Sequence, residues 1–418
     1  MPMIPQKEVT FDNLVTSFHK NALIKFTKNL IQLDNKIYIS RDPNRFIFIK
    51  KVTKKIISSL GMLDYTRRYY YDTLRGEYVF LLDNQIGISK NSSITNELRL
   101  KILKYAAKMS YRETGEKVCP NYIFSKASIY RIIKDTVVTD IPMDFSIYKK
   151  PPGIIHVQID EKYEPINKKN KYKRKEKKKL DGERKLRYIT ATIFAGKRNG
   201  RLLNKTILSA FTRKELVDKI NFLLVNRYKQ TSEDTIYLSG DLAHYIRETR
   251  FLISPSKVIY IPDMWHILRY MNTTDVHISK KMLLKHPEKV FKEYLEEFTD
   301  EILAVYRLYQ QDHDCFNKWK LPGYLGCSQE CQNSHYYCPR FSKVANRFSK
   351  RNFVKLVAVI ESEVNNTEIR ITSKRYKIPE RVEYTPLIEY ESKEKMVLDT
   401  RNMQYETYKM FNKIKYGY

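Results

Sequence analysis

Two consecutive stretches with one grammar constrain this chain more than any other feature. In TIYLSGDLAHYIRE (residues 235–248) and KVIYIPDMWHILRY (residues 257–270), an apolar run ends at an aspartate, Asp241 or Asp263. A helix-like segment follows, with a histidine, His244 or His266, three residues after the acid. Apolar runs of this length, alternating with helical patterns, predict strand–helix units of a parallel sheet. In such sheets the ligand-handling groups gather at the carboxyl ends of the strands. A third run, IIHVQID, ends at Asp160. Acids at successive strand ends point to a metal or phosphate site.

Charge indicates what such a site acts on. The 418 residues hold 77 Lys and Arg against 47 Asp and Glu, a balance of +30 spread along the chain. That excess calls for a polyanionic partner, and nucleic acid is the default. Abundant Lys, Ile, Asn and Tyr beside only 12 Gly also match an AT-rich coding bias, which accounts for part of the excess. Five cysteines are an odd, sparse set, so a disulfide framework is not expected and a reducing cytoplasmic compartment is. No apolar run approaches the length of a membrane span, and the opening residues carry no signal-peptide core, so no membrane partner is expected.

Taken in order, residues 1–35 read as an amphipathic helical segment and residues 36–90 as β-rich, with IYIS, FIFI, KKIISS, LDYTRRYYYD and YVFLLD as short strands. Basic residues interleave with tyrosines around Arg67 and Arg68, a composition suited to base stacking and phosphate contact. Residues 91–150 read as a helix-turn-helix. A first helix covers about Glu97 to Lys108. A second opens with a capping box, Ser110 and Glu113, and a third is capped by Ser125. Lys126, Ser128, Tyr130, Arg131 and Lys134 on that third helix are the candidate major-groove contacts. Residues 151–345 read as an α/β domain. Its elements are the strand to Asp160, strands at 187–196 and 201–208, a helix at 212–226, and the two strand–helix units. That makes a mixed five-stranded layout. A lysine-rich run, 167–185, reads as a solvated loop able to grip phosphates. A continuous helical pattern fills 271–320, within an insertion of about 271–325, and residues 346–418 read as helical and charged.

Three carboxylates from separate elements can hold two Mg²⁺ ions, which keep their remaining coordination for water and substrate phosphate. Asp160 and Asp241 are two candidates; Glu330 or Glu361 is the third. A rival set, Cys327, Cys331, His335 and Cys338, has zinc-ligand residue types, but its spacing within one short segment is cramped for a tetrahedron, so zinc is not expected.

Six stretches in order, from LDYTRRYYYD with YVFLLD, through SYRETGEKV…FSKASIYRIIKD, HVQIDEKY, LSGDLAHYIR and VIYIPDMWHILRY, to GCSQECQNSHYYCPRFS, resemble the ISLre-type insertion-sequence transposases of bacteria. The resemblance covers about residues 45–345. These are DDE transposases with a ribonuclease-H-like catalytic domain. The resemblance implies that Asp160, Asp241 and Glu330 are the catalytic and metal-binding acids, with Asp263, His266 and His335 supporting them. It also implies a helical insertion before the last acid, Mg²⁺ (with Mn²⁺ as a substitute), double-stranded DNA as partner, a homo-oligomer, and a nucleoid-associated location. Two other readings of the same residues stand beside it: a metal-dependent nuclease without strand transfer, and a non-enzymatic DNA-binding regulator or inactive copy.

Overall fold

A computed structural model describes residues 11–88, 91–140, 153–165, 185–253, 257–272, 277–293, 299–341 and 348–373. The lysine-rich run, except for Lys185, and everything past residue 373 lie outside the described residues. The chain divides into two compact units: Met1–Pro142 with Ile369–Tyr418, and Met143–Glu368.

The first unit opens with α1 (Phe11–Ser40), followed by β1 (Phe46–Ser58), β2 (Gly61–Asp72), β3 (Glu77–Val79) and α2 (Leu81–Gln85). The stretch IYIS is therefore the last turn of α1 and not a strand. Leu30, Leu33 and Ile37 recur at helical spacing and join the core of the sheet, so helical periodicity overrides the β-propensity of Ile and Tyr. FIFI and KKIISS are one strand, which pairs antiparallel with β2 from Phe46↔Asp72 to Ser58↔Gly61. YVFLLD splits, with a strand to Val79 and a helix from Leu81.

Arg67 is not available to phosphates. Leu63, Tyr65 and Arg67 alternate onto the buried face of β2. There Asp83 accepts from Tyr65 Oη at 2.9 Å and from Lys54 Nζ at 3.1 Å, and it pairs with the Arg67 guanidinium. Burial, then repulsion from Arg67, lowers the Lys54 ammonium to about 7. Arg68 is turned toward α1, donating to Asp34 Oδ2 at 2.5 Å and to Asn35 Oδ1 at 2.8 Å.

Three helices follow: α3 (Asn96–Ala106), α4 (Tyr111–Lys117) and α5 (Lys126–Asp135). The Ser110–Glu113 box makes both of its bonds, at 3.2 and 3.0 Å, and Ser125 caps α5 through Ser128 N at 3.1 Å. Leu98, Ile102, Leu103, Ala106, Ile129 and Ile133 are fully buried between the helices. Lys126, Tyr130, Arg131 and Lys134 face outward, and the Ser128 hydroxyl lies 2.9 Å from that of Ser125. Gly115 within α4 is obligatory, since a Cβ there would sit 2.0 Å from the Phe124 carbonyl oxygen. Then β4 (Thr136–Asp140) closes this part of the chain.

The second unit contains β5 (Ile154–Pro165), β6 (Lys185–Phe194), the small hairpin β7 (Gly196–Arg198) and β8 (Arg201–Leu203), and β9 (Thr206–Ala210). After α6 (Arg213–Asn226) come β10 (Thr235–Gly240), α7 (His244–Thr249), β11 (Lys257–Pro262) and α8 (Met264–Met271). The main sheet is mixed and five-stranded, in the order β11-β10-β5-β6-β9. Strands β11, β10 and β5 run parallel, and β6 is antiparallel to both of its neighbours. The expected strand at 201–208 is broken at Asn204, whose φ is +51°, so its first part pairs with β7 and only its second part with β6.

The helical stretch 271–320 is likewise interrupted, into α9 (Lys280–Lys285), α10 (Pro287–Glu293), α11 (Asp300–Gln311) and a 3₁₀ turn at Asn317–Lys320. Then come α12 (Gln329–Tyr336), α13 (Cys338–Phe341) and α14 (Lys350–Asn365). Asn365 grips the edge strand β9 at Ile207, accepting from its N–H at 2.8 Å and donating to its carbonyl at 2.7 Å. That satisfies backbone groups which an edge strand otherwise exposes. The chain then returns to the first unit as β12 (Ile369–Ser373), antiparallel to β4.

Candidate active site

Strand β5 is buried on both faces, and the two faces differ in kind. Ile155, Val157 and Ile159 are fully buried in the apolar core. The alternate residues, His156, Gln158, Asp160 and Lys162, form a polar stripe. Pairing of β10 with β5 stops at Gly240↔Ile159. Asp160 is thus the first residue beyond the carboxyl end of β10, although β5 itself runs on to Pro165 against β6.

The stripe fixes where the third acid arrives. Tyr237 Oη donates to the Pro322 carbonyl at 2.8 Å, and the Ser239 and Tyr324 hydroxyls stand 3.2 Å apart. Gln158 donates to the Gly326 carbonyl at 2.7 Å and accepts from Ser328 N at 2.9 Å and Ser328 Oγ at 3.1 Å. Segment 322–328 is thereby laid across the strand ends, helped by Gly323 and Gly326 at φ +75° and +82°. Helix α12 starts immediately afterwards and carries Glu330 to Asp160.

A closed polar ring locks that helix to the strand. Asn333 Nδ2 donates to Asp160 Oδ2 at 2.7 Å, Gln329 Nε2 donates to Asn333 Oδ1 at 3.4 Å and to Thr190 Oγ1 at 3.1 Å, and Thr190 Oγ1 donates to the Asp160 carbonyl at 3.2 Å. The other Asp160 carboxylate oxygen accepts from Glu161 N at 2.8 Å. Around the acid stand Glu330, whose carboxylate lies 3.4 Å from Lys162 Nζ, and His266, whose Nε2 is 4.0 Å from Glu330 Oε1. Asp263 caps α8 through Trp265 N at 3.0 Å and holds His266 Nδ1 at 2.9 Å. Asp241 accepts from Ala243 N at 2.9 Å. Gly240 before it is required, since a Cβ there would stand 2.8 Å from the Ile159 carbonyl and 2.7 Å from Ile246.

The electrostatics follow from this crowding. Burial, reinforced by the Glu330 and Asp241 charges, pushes the Asp160 carboxyl up to about 6. Burial also raises Asp241. At His266 burial opposes the cation, but the Asp263 bond and the surrounding carboxylates outweigh it and raise the imidazole. Lys162 is raised in the same way, with burial overcome by Glu330. Among the described residues, Asp160, His266 and Glu330 are the one group of three whose donor atoms all lie within 4.8 Å of one another. Such a hard, oxygen-rich set fits a divalent cation.

A family model described as an uncharacterised protein family (UPF0236) matches residues 9–375. The chain belongs to the UPF0236 family. Two similar members, both from Caldanaerobacter subterraneus subsp. tengcongensis, are 24% and 23% identical over 368 residues. Each alignment covers 81% of this chain, and 72% and 68% of the respective relative. Among solved structures, the Drosophila P element transposase strand transfer complex aligns over 68% of this chain and 82% of that one. Its identity of 12% and TM-score of 0.26 carry no argument.

Of the residues expected from sequence, this UPF0236 chain brings Asp160, Glu330, Asp263 and His266 together, with Asp241 within electrostatic reach of Asp160 and His266. His335 is elsewhere. Five residues past Glu330 places it well round the helix, and its exposed ring lies edge-on to Tyr336 at 4.7 Å. Glu361 accepts instead from Tyr337 Oη at 3.1 Å. Cys327, Cys331, His335 and Cys338 form no group of converging donors among the described residues. Asn333, Gln329, Gln158 and Lys162 were not anticipated. The one signal for them is the period-2 polar stripe of HVQIDEK, which places Gln158 and Lys162 on the face of Asp160.

Proposed function

We propose that this UPF0236 protein is a DNA transposase of an insertion sequence, with a ribonuclease-H-like catalytic unit and Asp160, Asp241 and Glu330 as its acids. One observation carries the reading: acids 170 positions apart in sequence, Asp160 on the first strand and Glu330 beyond a helical insertion, meet around one point. Asp241 follows the fourth strand, as the resemblance to ISLre-type transposases implies. Divalent ions held there would activate the attacking oxygen and stabilise the leaving one in an in-line displacement at phosphorus.

The chain's own residues supply the rest. Asp160 and Glu330 offer carboxylate oxygens from a strand and a helix that the Asn333–Gln329–Thr190 ring holds in register. Lys162 limits the repulsion between the acids and is a cation for a phosphate oxygen. Exposed Lys126, Tyr130, Arg131 and Lys134 on α5, with Ser128, are the proposed contacts to element ends. Water serves first as nucleophile and the freed 3′-hydroxyl second, so no covalent protein–DNA bond is required.

The test is cleavage of a supercoiled plasmid carrying the gene's own flanking DNA. Wild type with Mg²⁺ is expected to cut at the flanks and join ends. EDTA, Asp160→Ala, Asp241→Ala and Glu330→Ala should each abolish cutting, while Arg131→Glu should lower affinity for the flanks. Cutting that survives Asp160→Ala or EDTA would refute the proposal. Cutting without joined products would leave a nuclease. Binding without cutting under any divalent metal would leave a regulator.

A further inference from the structure

We propose that His266 is itself a ligand in a divalent-cation position, its Nε2 completing a set with Asp160 and Glu330, and that Asp263 acts through it as a positioning residue. This deepens the metal-dependent reading of the same site and rests on it. The resemblance to ISLre-type transposases implies only a supporting role for His266.

Three observations carry the inference. First, the residue is only 8% exposed, yet among the described residues its Nε2 makes no hydrogen bond. That nitrogen therefore faces the acids with no protein hydrogen bond competing for a ligand there. Second, the spacing leaves room for an ion between the donors. Two donors each about 2.1 Å from one ion stand roughly 3–4.2 Å apart. Glu330 Oε1, 4.0 Å from His266 Nε2, falls inside that range, and Asp160 joins them with the three donor atoms within 4.8 Å of one another. Third, the opposite ring nitrogen is already held, with Asp263 Oδ2 at 2.9 Å from Nδ1. With Nδ1–H donated to that carboxylate, Nε2 faces the acids, and a divalent cation there would take the place of the Nε2 proton. Carboxylate–histidine–metal relays orient their imidazoles in this way.

A nitrogen ligand also sets a metal preference. Carboxylates and water suit Mg²⁺ and Mn²⁺ alike, whereas imidazole adds affinity for first-row transition ions. The position therefore takes Mn²⁺ in preference to Mg²⁺.

The experiment uses the full, untagged chain, stripped with EDTA and titrated with Mn²⁺ in the absence of DNA, read by electron paramagnetic resonance with pulsed detection of ¹⁴N coupling. Wild type is expected to bind Mn²⁺ with a histidine-nitrogen coupling. His266→Gln and His266→Ala should lose the coupling and at least tenfold in affinity. Asp263→Asn should keep the coupling and lose about 10- to 100-fold in affinity. Mg²⁺ should displace Mn²⁺ only in large excess. Bound Mn²⁺ without nitrogen coupling in the wild type, or no Mn²⁺ binding at all, overturns the inference and needs no variant to fold. Nitrogen-coupled Mn²⁺ in a protein that cuts no DNA would uphold the ligand assignment while the transposase reading fell.

Discussion

Replacing Asp160 by Asn should stabilise the metal-free protein at neutral and alkaline pH while abolishing its chemistry. The carboxyl is pushed from its ordinary 3.8 up to about 6, first by burial and then by Glu330. A shift of about 2 pH units at roughly 1.4 kcal/mol each makes the charged form cost the fold about 3 kcal/mol. The raised value fixes the pH window. Below about pH 4 the carboxyl is protonated in folded and unfolded chain alike, and nothing is lost. The cost grows as pH rises toward 6 and is complete above it. Asn removes that cost but accepts only one of the two hydrogen bonds now made by Glu161 N and Asn333 Nδ2, a loss of about 1–1.5 kcal/mol. The expected net gain at pH 8 is therefore about 1–2 kcal/mol, or roughly 3–6 °C in melting temperature. The assay is convenient, because the two tryptophans, Trp265 and Trp319, both lie in the second unit, so their fluorescence reports that unit alone. Melts in EDTA from pH 4 to pH 8.5 should show the Asn variant ahead at high pH and the advantage gone near pH 4. Saturating Mn²⁺ should reverse the order, since only the wild type gains by binding. A variant less stable than wild type at pH 8, or a difference that ignores pH, would refute the burial argument.

Two further outcomes follow from close contacts. Gly115→Ala should destabilise the first unit by about 1–3 kcal/mol or more, because the neighbour at 2.0 Å is the backbone oxygen of Phe124 and not a side chain that can swing away; urea melts followed by far-UV circular dichroism, together with loss of duplex binding, would check it. Asn333→Ala removes the donor that favours ionised Asp160, so the midpoint of the acid limb of Mn²⁺ binding should move up from about 6, a change that a purely structural loss would not produce; an unmoved midpoint would count against the ring.

Much of the five-stranded sheet was legible because its signals are local. Apolar runs ending in acids located β5, β10 and β11, and the Ser110–Glu113 and Ser125 caps located α4 and α5 within a residue or two. What was missed depends on neighbours distant in sequence. Asn333 is an unremarkable polar residue until α12 docks on β5. Ser328 looks like an ordinary cap, yet its hydroxyl serves Gln158. Propensity misled at Ile37–Ser40, where tertiary packing extended a helix through β-branched residues, and at Asn204, where a left-handed residue split an otherwise strand-like run. For Arg67 the signal was present: Leu63, Tyr65 and Arg67 share one alternating face, and two apolar members of a stripe place the third inside.

Several carboxylates of the fold are paired with cations, although buried Asp234 is held by neutral donors, the Gly153 and Thr231 N–H groups and the Thr231 hydroxyl. Asp83 holds Lys54 and Arg67, Asp72 holds Arg45 at 3.1 Å, Asp34 holds Arg68, and Glu161, next in the chain to Asp160, is paired with Arg187. Asp160 and Asp241 receive only neutral donors among the described residues: two backbone N–H groups and the Asn333 amide. Neutral hydrogen bonds orient a carboxylate without cancelling its charge. Lys162 reaches Glu330, and His266 is committed through Nδ1 to Asp263. The Arg187 guanidinium of β6 goes to Glu161 and not to Asp160. Withholding it leaves concentrated negative charge inside a chain of net charge +30, a local potential that repels a phosphate and attracts a divalent cation. On the proposed function, basic residues would gather the polyanion and the acids would need a metal to meet it, so DNA and cation should bind with positive coupling. The same arrangement explains why the metal-free site is costly to hold together.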